Sequence, residues 1–285
     1  MSVQTLAAWL RCPNCFKDLE AMPDAAPPVL GCESGHRFDV NKRGYVSLLP
    51  SRTRVVGDSA EMLDERAALL ASGAYDPIRE ALIAAVRPAE PRTVLDSGTG
   101  TGWYLHGLLD ALEAAGAPAR GLASDLSPAA VQRAVRERAD VEGLVADVHA
   151  PLPIRDAMAD ACTVVFAPRN PPEFARVLRP GVVLVIVVPR ADHLAELRAV
   201  SGMLDVPEGK AGSVEASLAP WFSAASAQHV TYALELTADR ARQLQGMGPS
   251  AHHLGRSPAD VSSAIGRALP EAATVSVDVL AFTRR

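Results

Sequence analysis

The sequence predicts an α/β protein: a mostly parallel sheet covered by helices, with a small metal-stapled module ahead of it. Three observations carry that expectation. From Arg92 onward, short β-branched runs alternate with helical stretches. The run Val182-Val183-Leu184-Val185-Ile186-Val187-Val188 is apolar without alternation, as a central strand buried on both faces is. Three of the four cysteines crowd into the first 32 residues. At 285 residues the chain exceeds one average domain. We divide it into a module at 1–57 and an α/β domain at 58–285.

Taken in order, residues 1–57 show little helical periodicity and many turn formers, among them Pro13, Asn14, Pro27, Pro28, Gly31, Gly35 and Gly44, so a loop-dominated β module is expected. Asp58-Ser59-Ala60-Glu61 offers an N-cap with an acid close behind, and Met62, Leu63, Ala67, Leu69 and Leu70 continue a helix that stops near Gly73. A second helix restarts at Asp76-Pro77, with proline at its favoured first position. Strands are expected at 93–96, 120–124, 143–146, 161–167 and 182–188, with helices between them at about 101–115, 127–138, 171–178 and 192–203. Two further strands, 230–236 and 274–282, extend the sheet antiparallel, with helices after Thr237 and after Ser257-Pro258-Ala259-Asp260 between them.

Apolar residues make up 48% of the chain and charged residues 21%, enough for a large core. The first ten residues lack a basic stretch before an apolar run, and no window nears the roughly 20 apolar residues of a membrane span. A cytoplasmic protein with no membrane partner is therefore expected. A net charge of -5 argues against a protein that coats nucleic acid by bulk electrostatics. A local basic stretch survives under it: Arg37, Lys42, Arg43, Arg52 and Arg54 face the single acid Asp39 between His36 and Arg54. Such a stretch can grip phosphates in a salt-dependent way.

Cys12-Pro13-Asn14-Cys15 and Cys32-Glu33-Ser34-Gly35-His36 together read C-x2-C-x16-C-x3-H. Three thiolates and an imidazole fill a tetrahedral Zn2+ shell with no open position, so Cys12, Cys15, Cys32 and His36 are read as a structural zinc site. A module this small builds little core, and the metal would supply much of its folding free energy. Cys162, inside a predicted buried strand, reads as a small hydrophobe.

The stretch Val94-Leu95-Asp96-Ser97-Gly98-Thr99-Gly100-Thr101-Gly102 follows a predicted strand and precedes a predicted helix, the context that gives a glycine-rich loop meaning. Alone, such a loop fits dinucleotides as well as S-adenosylmethionine. Asp96, two residues before the first glycine, suits a cationic ammonium and would repel a pyrophosphate. No lysine follows, which disfavours a nucleoside triphosphate. Asp125 closes the next strand, where a carboxylate can accept both ribose hydroxyls. Asp147 follows the strand after that and reads equally as an adenine or ribose contact and as a turn former.

With these residues in view, the chain resembles the large-subunit (23S) ribosomal RNA guanine-N1 methyltransferases, in the Gram-positive branch that includes the tylosin-resistance enzyme. The likeness covers nearly the whole chain. Its carriers are the cluster Cys12, Cys15, Cys32, His36; Phe38-Asp39-Val40 through Gly44-Tyr45-Val46; Ser72-Gly73-Ala74-Tyr75-Asp76-Pro77; the loop Asp96 to Gly102; Val165-Phe166-Ala167-Pro168-Arg169-Asn170-Pro171-Pro172-Glu173; Asp192-His193-Leu194-Ala195-Glu196-Leu197; and Met247-Gly248-Pro249-Ser250. The resemblance implies a Rossmann-like class I methyltransferase sheet with a small N-terminal zinc-binding module that recognises RNA. It also implies donor contacts from Tyr75, Gly100, Thr101 and His193, and an rRNA hairpin as partner. Core packing is the plainer role for Tyr75, and a helix start for His193. One departure is Ser97, polar where the family's loop is apolar.

Methyl transfer from a sulfonium is an in-line displacement that needs positioning more than acid or base chemistry. Guanine N1 sits in the pairing edge, so the base must be unpaired or extruded. The rigid segment Pro168 to Glu173 lies at the usual substrate edge, and Asn170 and Arg169 are the candidates there, beside a purely structural reading of the loop. The resemblance leaves room for tylosin-type macrolide resistance and for a homodimer. Other readings stay open. One is an amino-group methyltransferase, to which Asn170-Pro171-Pro172 points and Glu173, in place of an aromatic, does not; a second is a small-molecule methyltransferase that carries the zinc module without using it on RNA. Another is a non-catalytic zinc RNA-binding protein.

Overall fold

The computed structural model describes residues 2–23, 25–49, 57–247 and 269–285. The chain opens with helix α1 (Val3–Trp9), followed by short strands β1 (Glu20–Ala21), β2 (Val29–Gly31), β3 (Arg37–Asn41) and β4 (Tyr45–Ser47). Helices α2 (Ala60–Ala71) and α3 (Asp76–Val86) lead into β5 (Thr93–Ser97), α4 (Trp103–Ala114), β6 (Arg120–Asp125), α5 (Pro128–Glu137) and β7 (Val141–Val145). Then come β8 (Ala159–Val165), α6 (Pro171–Val177), β9 (Leu178–Pro189), α7 (Ala195–Ser201), α8 (Lys210–Leu218), β10 (Phe222–Glu235), α9 (Ala238–Gly246) and β11 (Ala272–Arg284).

Among the described residues the strands form one sheet in the order β1-β2-β3-β4-β7-β6-β5-β8-β9-β11-β10. From β4 to β9 every neighbouring pair is parallel, and β11 and β10 close the far edge antiparallel, as expected. The near edge is the surprise. The hairpin β3–β4 docks its second strand on β7, with Tyr45 opposite Gly143 and Val46 opposite Leu144. Gly143 is what allows it, since a Cβ there would come within 2.6 Å of both Tyr45 Cβ and Val131 Cγ1.

Side chains along the parallel strands alternate between two apolar clusters, one on each face of the sheet. Val94, Ala123, Val145 and Val185 pack with α2, α3, α4 and α5. Leu95, Leu122, Leu144 and Ile186 pack with Leu6, Trp9 and Leu10 of the N-terminal segment, together with α6 and α8. The metal-bearing segment thus covers the second face and is continuous with the main core. Arg155 reaches across, its Nε donating to Leu10 O at 3.0 Å and its Nη2 to Leu19 O at 2.7 Å.

Three local expectations need correction. The first residues are helical rather than loop: Ser2 Oγ accepts from the Thr5 amide at 3.2 Å, and Leu6, Ala7 and Trp9 are buried. The helix expected at 192–203 is shorter, because Leu194 takes a left-handed φ of 55° and delays its start to Ala195. Strand β10 begins at Phe222, eight residues before the apolar signal at Val230, since an edge strand with solvent on both sides needs only β11 to hold it. Helix α8 carried no recognised signal, having only Val214 and Leu218 buried. The helix expected after Ser257 lies outside the described residues, where the resemblance segment at 248–250 and Arg52 and Arg54 also fall. Among the described residues no helix is long and apolar enough to cross a membrane.

Candidate functional site

The chain runs β5, β6, β7 outward to one side and returns with β8 on the other, so the crevice between β5 and β8 is the topological switch point, where open α/β sheets bind ligands at the carboxyl ends of their strands. The glycine loop sits there. Asp96 lies beneath it, 2% exposed. Its Oδ2 accepts from Thr99 Oγ1 and its Oδ1 from Thr163 Oγ1, both at 2.7 Å. Burial pushes its pKa up, and the two hydroxyl bonds pull back down. The carboxylate therefore ties β5, β8 and the loop together.

Asp125 does the same from the next strand. Its Oδ2 accepts from the Gly100 amide and its Oδ1 from the Ser127 amide, each at 2.9 Å. Burial raises its pKa too, against the pull of those amides. The Gly98 and Thr99 amides donate to Ser124 O at 2.8 and 3.0 Å. Gly98 has φ 77°, and a Cβ there would run into Ala167 Cβ of the loop after β8. Gly100 has φ 54°, and the Arg66 guanidinium lies 3.0 Å from where its Cβ would be. Arg66 in turn pairs with Asp58 and donates to Met247 O at 2.6 Å, so α2 covers the loop.

Asp96, Gly98, Gly100, Thr101 and Asp125 are thus brought together as the spacing expects. Asp147 adjoins them one strand away, where its Oδ1 accepts from the His149 amide at 2.9 Å and shapes a turn. Both carboxylates beside the loop hold backbone or hydroxyl groups of the protein itself, in addition to whatever ligand groups they meet.

Across the crevice stand three rings from three elements. Tyr75 caps the start of α3 and is 1% exposed. Phe166 follows β8, and His193 follows β9. Ring centroids lie 6.2 Å apart for Tyr75 and Phe166, 6.4 Å for Tyr75 and His193, and 6.0 Å for Phe166 and His193. His193 Nδ1 accepts from the Ser276 amide of β11 at 3.1 Å, so the imidazole proton resides on Nε2. Burial, reinforced by the charge of Arg198, brings its pKa down to about 4 and keeps it neutral at pH 7. Tyr104 Oη is buried near Tyr75 and Arg66 with no hydrogen-bond partner among the described residues.

Sequence reasoning passed over Phe166 and Tyr104. A single aromatic after an apolar strand carries no periodic signal, although Tyr104 stands only two residues beyond Gly102.

The loop after β8 divides its side chains. Asn170 Nδ2 donates to Val148 O at 2.7 Å and Ala150 O at 3.3 Å. Glu173 Oε2 accepts from the Leu152 amide at 2.7 Å and from Arg176 at 2.6 Å, and lies 3.5 Å from Arg11 of the N-terminal segment. Burial alone would raise the pKa of Glu173, yet Arg176 and the Leu152 amide outweigh it and hold it below the usual range. These two residues anchor the loop inward, and Arg169 remains outside their network.

The four sequence-predicted metal ligands converge, all ligand atoms lying within 4.8 Å of one another. Cys12 Sγ is 3.5 Å and Cys32 Sγ 3.3 Å from His36 Nδ1, and Cys15 Sγ is 3.6 Å from Cys32 Sγ. Those separations approach the edges, about 3.3 to 3.8 Å, of a tetrahedron with zinc–ligand bonds of about 2.0 to 2.3 Å. Of the basic stretch, Arg37 donates to Cys32 O and His36 O, Arg43 to Gln132, and Lys42 is exposed.

Comparison with known proteins finds relatives of both the metal-bearing segment and the sheet that carries the glycine loop. A family model described as "RlmA, N-terminal" matches residues 10–54, and one described as "Methyltransferase domain" matches residues 95–186. The chain is 41% identical over 254 residues to a Streptomyces fradiae protein named 23S rRNA (guanine(748)-N(1))-methyltransferase, covering 88% of each chain. It is 42% identical over 287 residues, covering 95% of each, to a Micromonospora griseorubida protein provisionally named a 23S rRNA (guanine-N(1)-)-methyltransferase. A Bacillus subtilis protein provisionally given the same name is 34% identical over 193 residues, covering 66% of this chain and 67% of that one.

Proposed function

Because the chain belongs to the 23S rRNA guanine-N1 methyltransferase family, we propose that it transfers a methyl group from S-adenosylmethionine to N1 of a guanine in a large-subunit rRNA hairpin, in the cytoplasm. The observation that carries the reading is the glycine loop held between Asp96 and Asp125 at the switch point, facing Tyr75, Phe166 and His193.

The residues fit both groups the family implies. The glycines let the loop pass where a Cβ would meet Ala167 or Arg66, and Tyr104 Oη, on the helix that follows the loop, is buried with no partner among the described residues. Tyr75, Asp96, Gly98, Gly100, Thr101, Asp125, Asp147 and His193 are the residues we assign to the donor. When bound, the donor supplies a methyl group on a cationic sulfur whose leaving group is already activated. Three thiols and an imidazole at tetrahedral spacing suit zinc and leave it no open position, so its role is to fold the module.

The chain's own contribution is positional. Asp96, through the Thr99 and Thr163 hydroxyls, and Asp125, through the Gly100 amide, fix the loop before any ligand arrives, so no reorganisation is needed at transfer. His193, neutral with its proton on Nε2, can donate a hydrogen bond and cannot take the N1 proton in that tautomer. Arg43 and Lys42 beside the metal module offer phosphate contacts to a folded RNA.

Incubating undermodified 23S rRNA with labelled donor and mapping the product by primer-extension arrest tests the assignment, since an N1 methyl stops the polymerase. The wild-type chain methylates a guanine, and Asp96→Ala loses methyl transfer while keeping RNA affinity. Label appearing on small molecules with indifference to RNA would reject the reading.

A further inference from the structure

We propose that Arg198 is the positioning residue for His193: its guanidinium clamps the turn that carries the imidazole, and its charge bars a second proton from the ring. This rests on the assignment of His193 to the methyl donor above and deepens it.

His193 sits in a tight turn between β9 and α7, where Leu194 takes a left-handed φ of 55° that side chains other than glycine seldom adopt. Arg198 holds both ends of that turn. Its amide donates to Leu194 O at 2.8 Å and its Nη2 donates to Ala191 O, so His193 lies inside the bracketed segment. Its Nη1 reaches Asp205 at 3.3 Å. From the other side, the Leu194 amide donates to Thr274 O at 2.6 Å and the Ser276 amide to His193 Nδ1 at 3.1 Å. Helix α7 and strand β11 therefore grip the turn together.

A clamp alone needs no charge, since a neutral amide donates to a carbonyl as well. The Arg198 side chain is nevertheless a cation only 9% exposed, its Nε is buried with no partner among the described residues, and the acid it meets, Asp205, is 98% exposed. Its charge is therefore poorly screened toward the interior. Around the imidazole, Tyr75 of α3 and Phe166 after β8 present uncharged rings, and Lys210 of α8 adds a second cation. Asp192 of the ring's own turn opposes them, while Arg190 is paired with Asp278 and Glu196 is taken up by Thr274. Burial first, and then the Arg198 charge, bring the His193 pKa down to about 4. A second proton would also face the Ser276 amide hydrogen at Nδ1. The consequence falls on the donor: a sulfonium is itself a cation, and an imidazolium in the wall of its crevice would repel it. The guanidinium instead spends its hydrogens on Ala191 O and Asp205.

NMR titration of the histidine side chains in the full chain, with His193→Asn to assign the signal, tests this beside calorimetric titration with S-adenosylmethionine at pH 6.5 and pH 5. Arg198→Met raises the His193 midpoint by about one unit and, for the lost clamp, weakens donor binding about 3- to 10-fold at pH 6.5. At pH 5 it weakens binding roughly twofold more, because a midpoint of about 5 leaves about half the rings protonated. Arg198→Lys keeps the charge, so its His193 midpoint stays with that of the wild type although the clamp is loosened, which a purely structural role does not predict. The proposal is overturned by an unmoved midpoint in Arg198→Met, by a wild-type midpoint at the ordinary value of about 6.5, or by a midpoint raised about one unit in Arg198→Lys. The last two readings decide it even where Arg198→Met does not fold. A wild-type His193 signal indifferent to saturating S-adenosylmethionine rejects the donor assignment and this proposal together, whereas a signal that responds to the donor but not to Arg198→Met rejects this one alone.

Discussion

Replacing His193 with asparagine isolates a single protonation equilibrium. The imidazole is 9% exposed, its Nδ1 accepts the Ser276 amide, and burial followed by the Arg198 charge holds its pKa down to about 4. In an unfolded chain the same group titrates near 6.5. A base whose folded pKa lies below its unfolded value binds more protons when unfolded. Stability is therefore complete above pH 6.5 or so and is lost as pH falls from there through about 4. The gap is about 2.5 units, and at 1.36 kcal/mol per unit the full loss is about 3 kcal/mol, of which roughly 2 kcal/mol falls between pH 7 and pH 4.5. Asparagine keeps an acceptor oxygen near the Nδ1 position for the Ser276 amide and does not titrate. Its loss of ring contacts with Tyr75 and Phe166 costs a further amount of about 1–3 kcal/mol that does not vary with pH. Urea unfolding of both proteins at pH 7 and 4.5 reads the difference, since carboxylates common to the two cancel. The wild type should lose about 2 kcal/mol more than the variant over that interval. Parallel losses would show that His193 is not a buried neutral group, and the tautomer inferred from its bond to Ser276 would fall with it.

Two other outcomes follow from the geometry. Gly98→Ala adds a left-handed penalty of about 1–2 kcal/mol and forces its methyl against Ala167, another 1–3 kcal/mol or so. Thermal melting and donor titration should both weaken, and unchanged values would mean the loop does not pass so close to β8. Cys12→Ser, or removal of zinc by a chelator, should lower stability by several kcal/mol on the order expected for a structural site. Because Cys12 and Cys32 share an apolar cluster with Leu95 and Leu122, the loss should appear as one transition of the whole chain. A separate early melt confined to the N-terminal segment would contradict that continuity.

Much of the site was readable because its chemistry is local in the chain. Cys12, Cys15, Cys32 and His36 announce themselves by residue type and spacing, and a zinc shell accepts few other combinations. The loop from Asp96 to Gly102 is likewise one short segment whose glycines meet a backbone requirement, visible as φ 77° at Gly98. The parallel strands were legible for a related reason, since burial on both faces demands an unbroken apolar run, as in Val182 to Val188.

What the chain alone determined, then, is what neighbouring residues decide between themselves: a metal knuckle, a glycine turn after a strand, the alternation of strands and helices. Folding decided everything that depends on distant segments meeting. Only in three dimensions do both Asp96 oxygens find Thr99 and Thr163, does Asn170 turn inward to Val148 and Ala150, and do Tyr75, Phe166 and His193 form a wall. The same holds for β4 pairing with β7, which makes the metal-bearing segment the cover of one sheet face. A side chain's hydrogen-bond partner and the water it keeps or loses are properties of that assembled neighbourhood, and no spacing along the backbone encodes them.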